Sequence, residues 1–243
     1  MTGAFRVSRL RSIVVSRQVR WAMLIGCASM TAISHSQAQD AFFISQYSSI
    51  DDKSYILWLG RWRIATIPVC WENATEANKD DRARVQQAVE DTWHRESCLI
   101  FSSWDSCESD TKGIKIKIND STPQSTVGQT DNLAQILVNF TFLNYSKEYC
   151  LESESNRLKC LRATAVHEFG HALAFAHEQN REDTPDTCLS APQGPDGTRT
   201  LTPWDPASIM NYCNDHWVDG KLSDGDIVGL RKAYCPPGGR LQQ

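Results

Sequence analysis

Three histidines and one glutamate within a short segment have the residue types and the spacing of a metal site. His167 and His171 are four residues apart, so on a helix their side chains lie on one face and can reach one cation. Glu168 lies about 100° further round the helix, where it can reach an attacking water without being a ligand. This H-E-x-x-H pattern is typical of zinc proteases in which the glutamate is the general base.

The third histidine, His177, lies six residues after His171 and would point about 240° round a continuous helix. It can join the same ion only if the helix ends and the chain turns between Leu173 and Ala176. Ala174 is the candidate for that turn, and a left-handed backbone there costs roughly 1 kcal/mol more than it does for glycine. Three histidines with an open fourth position indicate one catalytic zinc ion per chain. A cluster of ordinary structural histidines is the alternative.

The elements around this segment predict an α+β fold, because strands and helices follow one another without a βαβ rhythm. Isoleucines alternate with lysines in 114–118, and branched and aromatic residues dominate 135–142, so both segments are predicted strands. Residues 64–69 form a further predicted strand, in which Pro68 favours an edge or an end. Helical spacing of apolar residues predicts helices at 78–95, 162–175 and 224–234.

The first 38 residues have the layout of a secretory signal peptide. Five arginines and no acidic residues are followed by an apolar run at 21–33 and by the small-x-small sequence at 36–38. The run is too short to span a bilayer comfortably, so we expect no membrane span. A disordered N-terminal arm and a lipid anchor at Cys27 are the less favoured alternatives. Residues 39–57 then form a short leader that could serve as a pro-segment.

The cysteine count supports export. The chain has nine cysteines and no CxxC pair, and removal of the signal peptide removes Cys27 and leaves eight. An even number suits four disulfides in an oxidising compartment, so we expect a secreted, periplasmic or otherwise extracellular protein. The net charge of −4 becomes more negative without the signal arginines, so no nucleic-acid partner is expected. We expect a monomer.

The histidine segment resembles a known signature. Residues 167–177, HEFGHALAFAH, resemble the extended zinc signature of the metzincins, and Glu178 directly after it is similar to the astacin family. Residues 203–212, PWDPASIMNY, resemble the methionine turn of that family. The resemblance implies that Met210 lies under the zinc histidines. It also implies that Tyr212 is a switchable fifth zinc ligand and a hydrogen-bond donor in the transition state.

This resemblance covers about residues 58–235 and implies a metzincin-type fold in a domain spanning 58–243. The N-terminal lobe, to about residue 177, would hold a twisted mixed sheet and two helices. The small C-terminal lobe, 178–243, would hold the methionine turn and a C-terminal helix. Ala174 in place of the usual glycine and Asn211 in place of the usual histidine depart from the astacin pattern.

The resemblance also suggests structural roles. In the family the residue at Glu178 contacts the N-terminus created by propeptide removal, but the short leader here favours a structural role, bonding backbone in the C-terminal lobe. The family pairing joins Cys98 to Cys235, and Cys160 matches the family's cysteine near the active helix. The remaining pairs are weakly supported, and the full set is Cys98–Cys235, Cys150–Cys160, Cys70–Cys107 and Cys188–Cys213.

The function implied is that of a secreted zinc endopeptidase, which hydrolyses peptide bonds of a protein or peptide substrate through a zinc-activated water. Zincins of this type bind an extended substrate along a sheet edge. The predicted strand at 135–142 is the candidate edge, with an internal strand as the equal alternative. The alternatives for function are another metzincin branch, a zinc amidase acting on a non-protein amide, and a zinc-binding protein without turnover. The presence of Glu168 counts against the last.

Overall fold

Seven strands and three helices build the part of the chain that this computed structural model describes, namely residues 55–145, 147–235 and 237. In chain order they are β1 (Tyr55–Ile56), β2 (Thr66–Trp71), α1 (Lys79–Val89), β3 (Ile100–Ser106), β4 (Gly113–Ile118), β5 (Gln124–Ser125), β6 (Leu133–Val138), α2 (Glu154–Ala172), β7 (Arg199–Thr200) and α3 (Asp224–Tyr234). The predicted signal at 1–38, with Cys27, and residues 39–54 of the predicted leader lie outside the described residues.

Five of the strands form one mixed sheet in the order β3-β2-β4-β6-β5, which confirms the predicted α+β class. β2, β3, β4 and β6 are parallel, and β5 is antiparallel to β6. Of the two places predicted for Pro68, an edge or an end, the edge is wrong because β2 lies inside the sheet, and Pro68 is the third of six residues in that strand. Proline is tolerated there because pairing with β4 begins only at Val69, so no ladder bond on that side is lost.

The candidate substrate edge at 135–142 is also corrected by the sheet order. β6 (Leu133–Val138) has β4 on one side and β5 on the other, so the outermost strand is β5. The alternation in β6 leaves Ala134, Ile136 and Val138 buried, as expected of an internal strand. The edge strand escaped sequence analysis because two residues, Gln124 and Ser125, carry no readable period.

A single apolar core joins the sheet to α1 and α2. Ile114 and Ile116 of β4 are fully buried while Lys117 is exposed, which confirms the alternation predicted for this strand. α1 continues into a π-helical turn at Glu90–His94, and this turn buries Trp93. The Trp93 indole Nε1 donates a 2.8 Å hydrogen bond to the Val166 carbonyl, which ties α1 to the middle of α2.

The end of the predicted leader belongs to the folded unit. β1 pairs antiparallel with β7, and the Tyr55 carbonyl accepts a hydrogen bond from the Ala176 amide at 2.9 Å. The amide of Leu57 donates to the Ala174 carbonyl at 2.8 Å. These bonds hold residues 174–176, which connect the second and third histidines of the candidate site.

Four disulfides occur among the described residues, and they are the pairs named from the sequence: Cys70–Cys107, Cys98–Cys235, Cys150–Cys160 and Cys188–Cys213. Cys98–Cys235 closes a loop with a sequence separation of 137 and joins the segment before β3 to the end of α3. Cross-links of this length strongly restrict the unfolded chain. Within the described residues, no helix has the length and apolarity needed to cross a membrane.

Helix α2 begins earlier than predicted and ends in a tight turn. It starts at Glu154 rather than near 162. At this start the Ser153 hydroxyl accepts a hydrogen bond from the Asn156 amide and caps the helix. Five of the six residues at 154–159 are polar, so this first part of the helix has no apolar periodicity.

The turn after α2 has the bonds of a Schellman motif. The Ala174 amide donates to the His171 carbonyl at 2.7 Å, and the Phe175 amide donates to the Gly170 carbonyl at 2.9 Å. Ala174 has a φ of 71°, so the predicted left-handed turn occurs at the predicted residue. This reversal directs the following chain back towards the helix face that carries the first two histidines.

Replacing Ala174 with glycine tests the strain at this turn. We expect Ala174→Gly to leave the free energy of unfolding unchanged or to raise it by up to about 1 kcal/mol, because the left-handed penalty is removed. Ala163 is equally buried but lies inside α2. Ala163→Gly should therefore lower the free energy of unfolding by about 1 kcal/mol or more. Denaturant unfolding measures both, and equal destabilisation by the two variants would contradict a strained turn.

Candidate metal centre

The last two turns of α2 present two histidines on one face, as their spacing predicts. His167 and His171 are both buried, with ring centroids 4.7 Å apart. The turn at Ala174 brings His177 to the same place, with its ring centroid 4.4 Å from that of His171. The structure therefore brings together all three histidines that the sequence singled out.

Each imidazole is oriented by a backbone carbonyl. The Nδ1 atoms of His167, His171 and His177 lie 2.7, 2.8 and 2.8 Å from the carbonyl oxygens of Ile209, Phe175 and Gln193, respectively. A carbonyl can only accept, so each Nδ1 carries the proton and donates it. Each Nε2 is then left with a free lone pair, the tautomer that metal-binding histidines adopt.

The three Nε2 atoms converge on one point. His177 Nε2 lies 3.2 Å from His167 Nε2 and 3.1 Å from His171 Nε2, and the three candidate ligand atoms all lie within 4.8 Å of one another. Three lone pairs that face each other without a shared proton repel unless a cation lies among them. Neutral imidazoles are good ligands for zinc, so this donor set fits the ion.

Burial keeps these histidines neutral. The pKa of His167 is lowered to about 3, mainly by burial and then by the charge of His177. Burial also lowers the pKa of His171, well below its usual value, and that of His177. All three are consequently unprotonated near pH 7, the form in which imidazole binds a metal.

Glu168 follows His167 directly on α2, and its charge reaches Tyr212, whose ring centroid lies 4.4 Å from that of His177. Its side chain is buried, and its Oε2 atom makes no hydrogen bond to any described residue. Burial raises the pKa of Glu168 to about 8, which places it in the range useful for taking and returning a proton near neutral pH. An unpartnered buried carboxylate is costly unless a ligand or substrate uses it, so this atom also fits a hydrolytic zinc site.

Met210 packs against α2 at Gly170, which lies between His167 and His171 in the sequence. Its side chain is buried, and a Cβ placed on Gly170 would overlap the Met210 sulfur. The backbone of the same turn contacts both ligand-bearing segments: the Ile209 carbonyl faces His167 Nδ1, and the Met210 carbonyl accepts a 3.0 Å hydrogen bond from the Glu178 amide. The turn therefore joins the helix to the segment that follows His177.

Tyr212 lies over the histidines with about half of its surface exposed to solvent. Its ring centroid is 4.4 Å from that of His177 and 5.6 Å from that of His167. Burial, followed by the charge of Glu168, raises the pKa of Tyr212 to about 12, so the phenol keeps its proton and can donate a hydrogen bond. The Gln179 Oε1 atom accepts from the Tyr212 amide at 3.1 Å and holds this segment in place.

Glu178 is buried away from the three converging nitrogens and bonds the C-terminal part of the chain. It accepts a 3.0 Å hydrogen bond from the Asp205 amide and lies 3.1 Å from the Arg181 guanidinium. Burial raises the pKa of Glu178 to about 8, with Arg181 opposing the shift. These contacts join Glu178 to the backbone of Asp205 and to the guanidinium of Arg181.

Several residues near the site escaped sequence analysis. Gln193 contributes only its carbonyl, and Gln179 carried no signal except its place directly after Glu178. Burial and then the charge of Glu168 raise the pKa of Tyr145. The Tyr145 phenol is therefore a further polar group near Glu168. No motif marks these positions, since tertiary contacts alone bring them to the histidines.

The contact between Gly170 and Met210 can be tested by adding a methyl group. We expect Gly170→Ala to lower the free energy of unfolding by about 1–3 kcal/mol, because overpacking against Met210 and Trp93 exceeds the gain in helix propensity. In a double-mutant cycle, Met210→Ala should relieve part of that loss. Additive effects in chemical denaturation would show that the two side chains do not pack together.

Comparison with known proteins agrees with this geometry. A family model described as Astacin, a peptidase family, matches residues 58–189, which include all three histidines. Zinc metalloproteinase nas-20 of Caenorhabditis elegans is 38% identical over 63 residues, 24% of this chain. That match spans only 17% of the length of the curated relative.

The solved structure of myroilysin is similar in fold. Myroilysin has a TM-score of 0.51 at 18% identity, covering 75% of this chain and 98% of its own. High choriolytic enzyme 1, a hatching enzyme zinc-protease from Oryzias latipes (Medaka fish), has a TM-score of 0.46 at 18% identity, covering 75% of this chain and 92% of its own. At such identity the myroilysin likeness concerns the fold alone. Because the family model covers more than half of the sequence and includes the three-histidine site, the chain belongs to the astacin family of peptidases.

Proposed function

We propose that this protein is an exported zinc endopeptidase that hydrolyses peptide bonds with Glu168 as general base. The observation that carries this proposal is the convergence of three neutral Nε2 atoms beside an unpartnered buried carboxylate. Family membership supports it independently. The candidate ligands are His167, His171 and His177, and the chemistry assigned to them is that of a catalytic rather than a structural site.

Zinc held by the three histidines would activate a water for attack and polarise the substrate carbonyl. Glu168 accepts a proton from the attacking water through its free Oε2 atom and returns it to the leaving nitrogen. Burial raises the pKa of Glu168, and the positive charge of a zinc ion held by the neighbouring histidines would oppose that shift and favour the carboxylate that the first transfer requires.

Tyr212 is proposed to stabilise the transition state. Its phenol remains protonated because its pKa is raised to about 12, and its ring lies close to those of His177 and His167. A hydroxyl donated from this position can bind the carbonyl oxygen as negative charge develops on it. The exposed half of the ring gives it freedom to move when substrate binds.

The outer edge of β5 is the proposed place for the substrate backbone. β5 is the last strand of the sheet, and the chain continues from it to Gly128, whose amide donates to the His171 carbonyl at 2.7 Å. The edge therefore runs beside the zinc helix. An extended peptide can add to such an edge through main-chain hydrogen bonds, with pockets reading alternate side chains.

Export of the protein is supported by its disulfides and its family. Four disulfides and the astacin family indicate an extracellular protein. We further propose that residues 1–38 direct secretion, to the periplasm or the medium. Because Tyr55–Leu57 hydrogen-bond to residues 174–176 and 198–200, we propose that any removed leader ends before Tyr55. A monomeric state and the absence of a nucleic-acid partner stay predictions.

Replacement of the general base tests the mechanism. We expect the purified exported protein to cleave casein, and Glu168→Gln to reduce kcat by about 10²–10⁴-fold while zinc content stays at one ion per chain. Gln keeps the shape of the side chain but cannot take a proton. Glu108→Gln, an exposed residue on a loop, is the matched control and should cleave at the normal rate.

The outcomes separate the alternatives. Full activity in Glu168→Gln would refute the proposed mechanism. Zinc-loaded normal protein that cleaves no peptide would favour a zinc-binding protein without turnover, and cleavage of only small non-protein amides would favour an amidase.

Tyr212→Phe isolates the phenol. We expect kcat on a peptide substrate to fall by about 10²-fold, because one hydrogen bond to the developing charge is lost. Zinc affinity in a chelator competition should stay unchanged. A large loss of zinc affinity would instead make Tyr212 an essential ligand.

A further inference from the structure

One residue in the methionine turn is bonded through both of its backbone polar groups. The Ile209 carbonyl accepts a 2.7 Å hydrogen bond from His167 Nδ1. The Ile209 amide donates a 2.9 Å hydrogen bond to the Asp226 Oδ2 atom, which lies in the first turn of α3. A buried carboxylate is thus connected to a zinc ligand through Ile209 alone.

Asp226 is held in a fixed position for this contact. It forms a reciprocal capping box with Ser223, whose amide donates to Asp226 Oδ2 at 3.0 Å and whose hydroxyl accepts from the Asp226 amide at 2.9 Å. Asp226 is only 8% exposed, so its rotamers are restricted by packing. Its partners Ser208, Ile209 and Ser223 all lie within the C-terminal part of the chain.

The second oxygen of Asp226 supports the next residue of the turn. The Ser208 hydroxyl donates to Asp226 Oδ1 at 2.6 Å and accepts from the Met210 amide at 3.0 Å. Asp226 therefore satisfies the amide of Ile209 directly and that of Met210 through one hydroxyl. The two carbonyls of these residues then face His167 and the amide that follows His177.

We propose that Asp226 is a positioning residue for the zinc ligand His167, acting through the backbone of Ile209. Its carboxylate holds the Ile209 amide in place, which fixes the direction in which the Ile209 carbonyl faces His167 Nδ1. A well-aligned bond at Nδ1 fixes the tautomer and the orientation of the ring, and so keeps Nε2 aimed at the ion. The proposal rests on the zinc site described above but not on peptidase activity.

Zinc affinity of the full exported chain, measured without substrate by chelator competition, tests this role. Asp226→Asn removes the charge and leaves one side-chain oxygen for three donors, the Ser208 hydroxyl and the amides of Ile209 and Ser223. We therefore expect zinc to bind about 10–100-fold more weakly, as for other residues that orient metal ligands. Asp224→Asn is the matched control: it removes an exposed carboxylate from the same first turn and should bind zinc normally.

Two further measurements distinguish positioning from simple helix capping. In metal-free protein, nitrogen NMR of the His167 imidazole should show the Nδ1–H tautomer in the normal chain and a mixture in Asp226→Asn. Ser208→Ala leaves the bond between Asp226 and the Ile209 amide but removes the hydroxyl that holds the Met210 amide, which shares a peptide unit with the Ile209 carbonyl. It should therefore weaken zinc binding less than Asp226→Asn does. If Asp226→Asn does not fold, Asp226→Glu is tested in its place. Asp226→Glu keeps the charge but shifts the oxygens, so we expect a smaller loss of zinc affinity.

The contrary results are clear. Normal zinc affinity and an unchanged tautomer in Asp226→Asn, with only a lower melting temperature, would reduce Asp226 to a helix cap and overturn the proposal. Equal zinc loss in Ser208→Ala would overturn it as well, because packing of the turn, and not the backbone of Ile209, would then set the affinity.

Discussion

The spacing between His171 and His177 is the constraint on which the rest of the site depends. Six residues on a straight helix would carry the third imidazole to the far side, so the helix must end within one turn of the second. It does so at Ala174, whose left-handed backbone reverses the chain and satisfies two carbonyls of the last helical turn. The bond between the Leu57 amide and the Ala174 carbonyl then holds the reversed segment against the N-terminal strand.

The three imidazoles must also be kept from rotating, and hydrogen bonds from three separate parts of the chain hold them. The acceptors for their Nδ1 protons are carbonyls of the helix-ending turn, the long loop after His177 and the methionine turn. None of these acceptors is a side chain, so residue types leave no trace of them in the sequence. The turn after α2 sets the acceptor for His171, and α3 holds the acceptor for His167 through Asp226. The Cys188–Cys213 disulfide joins the loop that carries the acceptor for His177 to the residue that follows Tyr212.

The methionine turn joins α2, the segment that follows His177, and α3. It packs Met210 under Gly170, it bonds to both ligand-bearing segments through two carbonyls, and its two amides depend on Asp226. Such a junction explains why the small C-terminal part can influence a site carried mostly by one helix. Buried polar groups with complete partners specify one arrangement, because any displacement leaves a donor or acceptor unpaired.

Local patterns determined much of this protein: the fold class, the alternating strand at 114–118, helix α3, the zinc histidines, and the turn at Ala174. They do so because burial periodicity, metal-ligand spacing and backbone sterics act over a few neighbouring residues. Tertiary structure alone decided the internal position of β2 and β6, the two-residue edge strand β5, and the link from Asp226 to His167. These depend on pairing and hydrogen bonding between residues far apart in the chain, and such contacts have no period or motif along the sequence.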